Sequence, residues 1–351
     1  MLPTSTGERF LAVLFLGVLA LIVIAVAFGV SVMILRLRNE RRAERWGRLE
    51  GLWDEVVLDI LSGDRDPEAF WSLVLPRDAL FAVNYLQRYH RRLAGAEQVR
   101  LRVVARPYLP LVARRAGHRD PDRRAWAVQT VGELGLEDYL PTVRAALDDP
   151  SPIVAMVAAR CLVRPGRSEL LAPVVDRLQR FTTWSPNFLA SLLAAVGPEA
   201  TPLLRAVLAD QRREPAVRAV AATALAYLLD VDAADVAAAV LAATTDPELQ
   251  AAVLRLLERV GGGAHAGAVR PRLAAENPVV RAAAAAALGR IGDHDDLLRL
   301  RAACEDESRW VALHAARALR NAGDTETLQR LATSGRERAT LAMQVLSEVD
   351  R

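Results

Sequence analysis

Five prolines, Pro121, Pro152, Pro215, Pro247 and Pro278, lie close to multiples of 31 residues apart. That spacing constrains the fold more than any other feature, because it demands the same small unit again and again. Around the prolines one phrase returns: residues 214–218 read E-P-A-V-R, 246–250 read D-P-E-L-Q and 277–281 read N-P-V-V-R. Each phrase leads into an Ala/Leu-rich stretch, a short turn with Gly or Asp, and a second Leu-rich stretch. The clearest copy fills residues 276–306, ENPVVRAAAAAALGRIGDHDDLLRLRAACED.

The phrase predicts a helical hairpin. Asp, Asn or Glu before proline supplies a cap or a dipole-favourable charge, and proline fits the first turn, where its missing N–H costs nothing. Successive alanines let two helices approach closely. The Ile291-Gly292-Asp293 turn is expected to end the first helix with Gly292 in a left-handed conformation. The second helix then offers Leu297, Leu298, Leu300 and Cys304 for packing. One such hairpin cannot bury its apolar face alone, so copies must stack. Composition agrees: hydrophobic residues make up 52% of the chain but aromatics only 5%, so Ala, Leu and Val dominate and favour helix over sheet.

On these residues the chain resembles the HEAT-repeat family, in particular its short phycobilin-lyase-type repeats with a D-P-x-V-R-x-x-A-x-x-A-L-G-x-I-G phrase. The resemblance covers residues 119–351 as about seven hairpins and implies an all-α solenoid used for binding. Two copies depart from the phrase. Ser185-Pro186-Asn187-Phe188 replaces it in residues 182–211, and Arg309 stands where proline is expected after Ser308. A final helix near Arg338 to Val349 reads as a terminal cap.

Residues 10–35 contain no charge and a single hydroxyl, Ser31. At about 1.5 Å per residue this stretch reaches roughly 39 Å as a helix, more than the roughly 30 Å of a bilayer's hydrocarbon core. Ala25-Val26-Ala27 resembles a signal cleavage site, but the apolar run continues for eight residues beyond it. It then meets Arg36, Arg38, Arg41, Arg42, Arg45 and Arg48, a flank that belongs on the cytoplasmic side. The expectation is therefore a transmembrane helix at 10–35 in the inner membrane, with a short extracytoplasmic segment at 1–9 and residues 36–351 in the cytoplasm.

Residues 36–118 match the phrase poorly but still read as helical. Trp46, Leu49, Trp53, Val56 and Ile60 form an apolar stripe that Gly63 ends. Further helices are expected at 77–94 and 96–117, as divergent hairpins. From Arg88 to Arg124 there are eleven Arg against Glu97, Asp120 and Asp122, while residues 125–351 carry 25 Arg against 28 acids. Positive charge concentrates near the membrane end, where anionic lipid would be drawn to residues 36–124, Arg114 and Arg115 among them, at about 1 kcal/mol per basic residue.

The chain holds no lysine, so all 45 basic residues are Arg. That excludes GK[ST] phosphate loops, Schiff-base chemistry and kinase-type catalysis. Cys161 and Cys304 are far apart in Ala-rich patterns and read as small buried side chains. No His-Glu dipeptide exists, against the di-iron hydroxylases that share HEAT-like folds. His294 in Asp293-His294-Asp295-Asp296 falls at an inter-helix turn, as does Gly261-Gly262-Gly263-Ala264-His265, so both read as turns. No cofactor, metal or nucleic acid is expected.

Two groups stand out as partner-binding candidates. Arg144, Arg205, Arg270 and Arg301 occupy one equivalent position on the second helices, a row that would receive an acidic or membrane-embedded protein partner. Phe181, Trp184 and Phe188 gather where the repeat breaks and offer an aromatic anchor. The reading is of a bacterial-type inner-membrane scaffold or adaptor, by analogy near envelope-polysaccharide or signalling machinery. Two alternatives are a lipid- or nucleotide-sensing module using the basic segment, and a phycobilin-lyase-like enzyme.

Overall fold

The computed structural model describes residues 6–181, 183–334 and 338–348, with side chains from Leu14 onward apart from Asn39 and Arg42. Most of the expected N-terminal segment, the Arg42 side chain and the end of the terminal helix beyond Glu348 lie outside the described residues. Among the described residues every regular element is helical. The chain divides into two compact units, Met1–Val112 and Ala113–Arg351.

In the first unit, α1 (Thr6–Ser62) runs unbroken for 57 residues. Its upper part, residues 14–37, keeps its apolar side chains exposed, and the most apolar window has a mean hydropathy of 3.0. Its lower part is a different surface. Trp53, Val57, Ile60 and Leu61 are buried against α2 (Glu68–Leu73), α3 (Ala79–His90) and α4 (Gly95–Ala105). Trp53 meets Phe70 and Tyr85 edge-on with ring centroids 5.5 and 5.4 Å away, and Trp46 stacks on Phe81 at 4.6 Å. The Tyr85 and Tyr89 hydroxyls both donate to Asp54 Oδ1 at 2.7 Å, so these two polar tips are satisfied inside the aromatic cluster. Gly63, at φ +97°, ends α1 in a conformation that favours glycine. The helix expected at 96–117 is broken by Pro107 and Pro110 into α4, a 3₁₀ turn at Arg106–Tyr108, α5 (Leu109–Ala113) and a second 3₁₀ turn at Arg114–Gly117.

The second unit is a stack of seven helical pairs among the described residues, closed by α19 (Ala339–Ser347). α6 (Pro121–Ala145) holds both arms of the first pair, bent at Gly135 and Tyr139. The later first helices are α7 (Pro152–Leu162), α9 (Pro186–Ala194), α11 (Pro215–Leu228), α13 (Pro247–Val260), α15 (Pro278–Ile291) and α17 (Arg309–Asn321). The second helices are α8 (Ala172–Val175), α10 (Thr201–Ala209), α12 (Ala233–Ala243), α14 (Ala266–Val269), α16 (His294–Ala303) and α18 (Thr325–Ala332).

Proline sits in the first turn of six of these first helices, and Asp120, Asp246 and Asn277 cap by side chain. Glu214 makes no such cap. First helices pack on one another from α11 to α17 as a nearly all-buried layer; Ala282, Ala284, Ala285 and Ala287 of α15 are buried. A Cβ at Gly289 would lie 2.4 Å from Ala318 Cβ, so the bare glycine sets the spacing of α15 and α17. Between α7 and α9 the stack is irregular, and the 3₁₀ turn Leu178–Phe181 fills the space against α7 and α11.

Two local expectations are corrected. Gly292 is extended, with φ −71° and ψ 167°, not left-handed. Glycine is needed there for room, since a Cβ would lie 2.5 Å from Leu288 O and 2.9 Å from an Asp296 carboxylate oxygen. Leu298 is 65% exposed; Leu300 and Cys304 carry the packing of α16.

Candidate interaction surface

The arginine of the repeat phrase works inside the stack. Arg281 donates from Nε and Nη2 to both oxygens of Asp306, at 2.8 and 2.9 Å, and from Nη1 to the Ala275 and Glu276 carbonyls at 2.9 Å. Asp306 in turn accepts from Ser308 N at 2.8 Å, at the start of α17. Arg124 repeats the arrangement five repeats earlier, on Asp149 and on the His118 and Arg119 carbonyls. One guanidinium thus ties a repeat to the turn that opens the next. Hydrogen bonds from these arginines hold the Asp149 and Asp306 carboxyls below the usual carboxylate range.

The row on the second helices proves to be engaged as well. Arg205 pairs with Asp232 at 2.8 Å and Asp230 at 3.5 Å, Arg270 with Asp293 at 2.6 Å and Asp296 at 2.8 Å, and Arg301 with Asp324 at 2.7 Å. Only Arg144 is exposed with no such aspartate beside it among the described residues. Three arginines of the row, Arg205, Arg270 and Arg301, thus already meet the inter-helix turn of the next repeat. The cause is burial. Asp296 is 1% exposed and caps α16 with Asp293, so it requires a cation close by. Burial pushes Asp296 and Asp324 up, and their arginines more than offset it, leaving both carboxyls below the ordinary value. Aspartates 23–27 residues downstream of Arg205, Arg270 and Arg301 were the available sequence signal.

The three aromatic candidates do not form one site. Phe181 is core; Trp184 is half-buried, stacked on Phe188 with centroids 5.5 Å apart, and its indole Nε1 is buried without an acceptor. Phe188 remains 37% exposed.

In the basic flank of α1, Arg36 pairs with Glu40, Arg45 with buried Asp78, and Arg48 reaches the Glu44 carbonyl. Arg38 and Arg41 are exposed. Arg114 is exposed and Arg115 half-exposed, both in the second unit.

Residues that the sequence reading passed over lie on the outward face of the first helices. Arg255 and Arg259 on α13 and Arg290 on α15 are exposed, and no ion-pair or hydrogen-bond partner engages them among the described residues. Trp310 on α17 is 54% exposed and packs edge-on against His314, with centroids 4.6 Å apart. Burial, helped by the charges of Arg317 and of Arg255 two helices away, holds His314 below its usual pKa. A cleft of about 520 Å³ opens at one end of this face, between Glu248, Arg255 and Val279. Another of about 810 Å³ opens at the far end, beside Glu258, Arg290 and Asn321. Burial raises the Glu258 carboxyl.

His294 is an exposed first-turn residue of α16, and His265 closes its turn by accepting from Gly262 N through Nδ1. Among the described residues no group of three His, Cys, Asp or Glu is placed to hold a metal. Both cysteines are buried, and burial pushes their thiols up to about 12.

Among solved structures the chain is similar to the karyopherin Kap121p bound to the extreme C-terminus of the protein phosphatase Cdc14p. The identity is 13% over 78% of this chain and 42% of that one, with a TM-score of 0.39. It is similar to human deoxyhypusine hydroxylase in complex with glycerol, at 21% identity over 79% of this chain and 97% of that one, TM-score 0.32. It is similar to the complex of CpcE and CpcF of phycocyanin lyase from Nostoc sp. PCC7120, at 18% over 68% and 93%, TM-score 0.33. The chain spans less than half the length of the karyopherin. No curated protein matches it. The HEAT repeats family matches residues 109–183, 235–320 and 268–343, together more than half of the 351 residues. The chain belongs to the HEAT-repeat family.

Proposed function

We propose that this protein is a membrane-tethered helical scaffold that holds a protein partner at the cytoplasmic face of the membrane. The single observation that carries the tether is α1. Its exposed apolar stretch continues without a break into the helix that anchors the aromatic core at Trp53. Tether and folded unit are therefore one rod, and the arginines at its waist favour the cytoplasmic side. A role in binding rather than catalysis is supported by the fate of its reactive groups: the thiols are buried and protonated, and the low-pKa carboxylates are locked in ion pairs between repeats.

The test has two arms. A reporter fused after Arg351 should be active only as a cytoplasmic fusion, with the chain in the membrane fraction; periplasmic activity or a soluble chain refutes the tether. Cross-linking in intact cells, followed by solubilisation in mild detergent, should yield one protein in stoichiometric amount, and a chain recovered alone refutes the scaffold.

A further inference from the structure

Arg124, Arg281, Arg205, Arg270 and Arg301 meet aspartates of the next repeat, and the phrase arginine Arg218 donates to the Leu208 carbonyl. Arg255, Arg259 and Arg290 have no aspartate of the next repeat beside them among the described residues. The unpaired set is ordered. Arg255 lies eight residues after Pro247; Arg259 and Arg290 lie twelve residues after Pro247 and Pro278. Arg259 and Arg290 are therefore neighbours across α13 and α15, with Arg255 one turn before Arg259 on the same face. On α15, between α13 and α17, the positions matching Arg255 and His314 are Ala286 and Ala283, which leaves a low floor. Arg255 stands on one side of it. Trp310, half exposed, and His314, whose Nε2 is buried without a partner, stand on the other.

We infer that this face binds an extended acidic segment of the partner protein, its carboxylates on Arg255 and Arg290 and an apolar side chain against Trp310. The inference rests on the scaffold reading and names the part of the partner that it holds. Guanidinium matches carboxylate in a two-pronged, planar contact, which a solvated point charge does not. Helices in contact lie about 8–10 Å apart, so crossing from α13 to α17 takes about 16–20 Å. Trp310 stands at the start of α17 and Arg290 at the end of α15, eleven positions or about 16 Å apart along the helices. A segment that reaches Arg255, Arg290 and Trp310 therefore spans roughly 30 Å, about nine residues of extended chain. The acids on the same face select against a polyanion. Glu248 and Glu258 flank Arg255 along α13, and an unbroken run of phosphates would meet both. A peptide can put its carboxylates opposite the arginines and apolar side chains opposite the glutamates.

The experiment uses the full chain in dodecyl maltoside micelles, with fluorescence anisotropy of a fluorescein-labelled peptide, Glu-Leu-Glu repeated three times, as probe. The wild type should bind saturably and more weakly as salt rises. Arg255→Glu with Arg290→Glu should weaken binding by at least about tenfold. Trp310→Ala should also weaken it. Arg330→Glu, the same charge change on exposed α18, should leave it unchanged. Arg255→Gln with Arg290→Gln repeats the test with a milder change, and circular dichroism checks the fold of each variant. Failure of the wild type to bind, equal loss with Arg330→Glu, or full binding by both double variants would overturn the assignment. So would an oligothymidine or a phosphatidylglycerol vesicle that displaces the peptide and is itself lost by the double reversal, since either would make the face a phosphate site. If cross-linking captures the same partner with wild type and double reversal, this face is excluded and the scaffold stands; if wild type captures none, the scaffold itself fails.

Discussion

Arg281→Ala tests how the repeats are held together. It removes two charge-assisted bonds to Asp306 and the donors for two backbone carbonyls. Asp306 keeps only Ser308 N, and its side chain is 14% exposed beside an arginine that is 10% exposed. Breaking a fully buried pair costs about 3–5 kcal/mol, chiefly because the surviving charge stays desolvated. Here water reaches one edge of the pair, which lowers the expected cost to about 2–3 kcal/mol. Asp306→Asn preserves an acceptor for Ser308 and one for the guanidinium, so it should cost about 1 kcal/mol. Arg330→Ala, in an exposed i,i+4 pair with Glu326, should change stability by less than about 0.5 kcal/mol.

Urea unfolding of the full chain in dodecyl maltoside, followed by circular dichroism, gives the order of the three variants. Amide exchange gives the location. A repeat stack is stabilised by its nearest-neighbour interfaces, so loss of one tie opens the junction beside it first. Exchange should rise in α17 and in residues 275–281 before it rises in α11. The reasoning fails if Arg281→Ala is as mild as Arg330→Ala, or if exchange rises evenly along the stack.

Gly132→Ala places a Cβ 2.5 Å from Cys161 Sγ and 2.7 Å from its Cβ and should destabilise by about 1–3 kcal/mol. Cys161→Ala removes the first clash and keeps the second, so it should restore only part of that loss when the two are combined, and additive losses in the double-mutant cycle would refute the contact. Stability should fall in two steps on acidification. His314 has a lowered pKa in the folded chain, so the unfolded chain binds more protons below its ordinary value near 6.5, and a shallow loss begins there that His314→Gln abolishes. Asp149, Asp296, Asp306 and Asp324 also have lowered pKa values, so their contribution is present above about pH 4 and is lost as pH falls through their folded values. Chemical denaturation from pH 8 to pH 3 checks both steps, and a flat profile above pH 4 would remove the histidine from the account.

The stack was legible because its signal is local. Proline in the first turn, a polar cap before it and alanines after it each act within one helix, so a single chain displays them wherever the phrase recurs. What stayed hidden depends on orientation between repeats. Nothing within the Arg270 stretch says that its guanidinium turns toward Asp296 rather than toward solvent; that follows from where the next turn lies once α13 and α15 are packed. Gly292 misled for a related reason. A glycine after a helix usually answers a demand for left-handed backbone, and here it answers a demand for space beside Leu288 O and Asp296. The sequence reading grouped Phe181, Trp184 and Phe188; Trp184 stacks on Phe188, and Phe181 is drawn into the core because the irregular copy leaves a gap that the 3₁₀ turn fills.

The same division explains why the partner is harder to read than the fold. Positions that join repeats can meet an equivalent neighbour in different copies, as Arg124 and Arg281 do on Asp149 and Asp306. Positions on the outward face of the first helices bond at most within their own helix, as Gln129 does to Glu133 and Thr223 to the Ala219 carbonyl, so the phrase places little demand on them. Eight residues after the phrase proline the chain carries Gln129, Thr223, Arg255 and Ala286 in different copies. That variation is what a surface shaped by something outside the chain should show, and it cannot be anticipated from the repeat. The arginines bonded to the aspartates of the next repeat hold the repeats to each other, and Arg255, Arg259 and Arg290 on the outward face are the ones we assign to a partner.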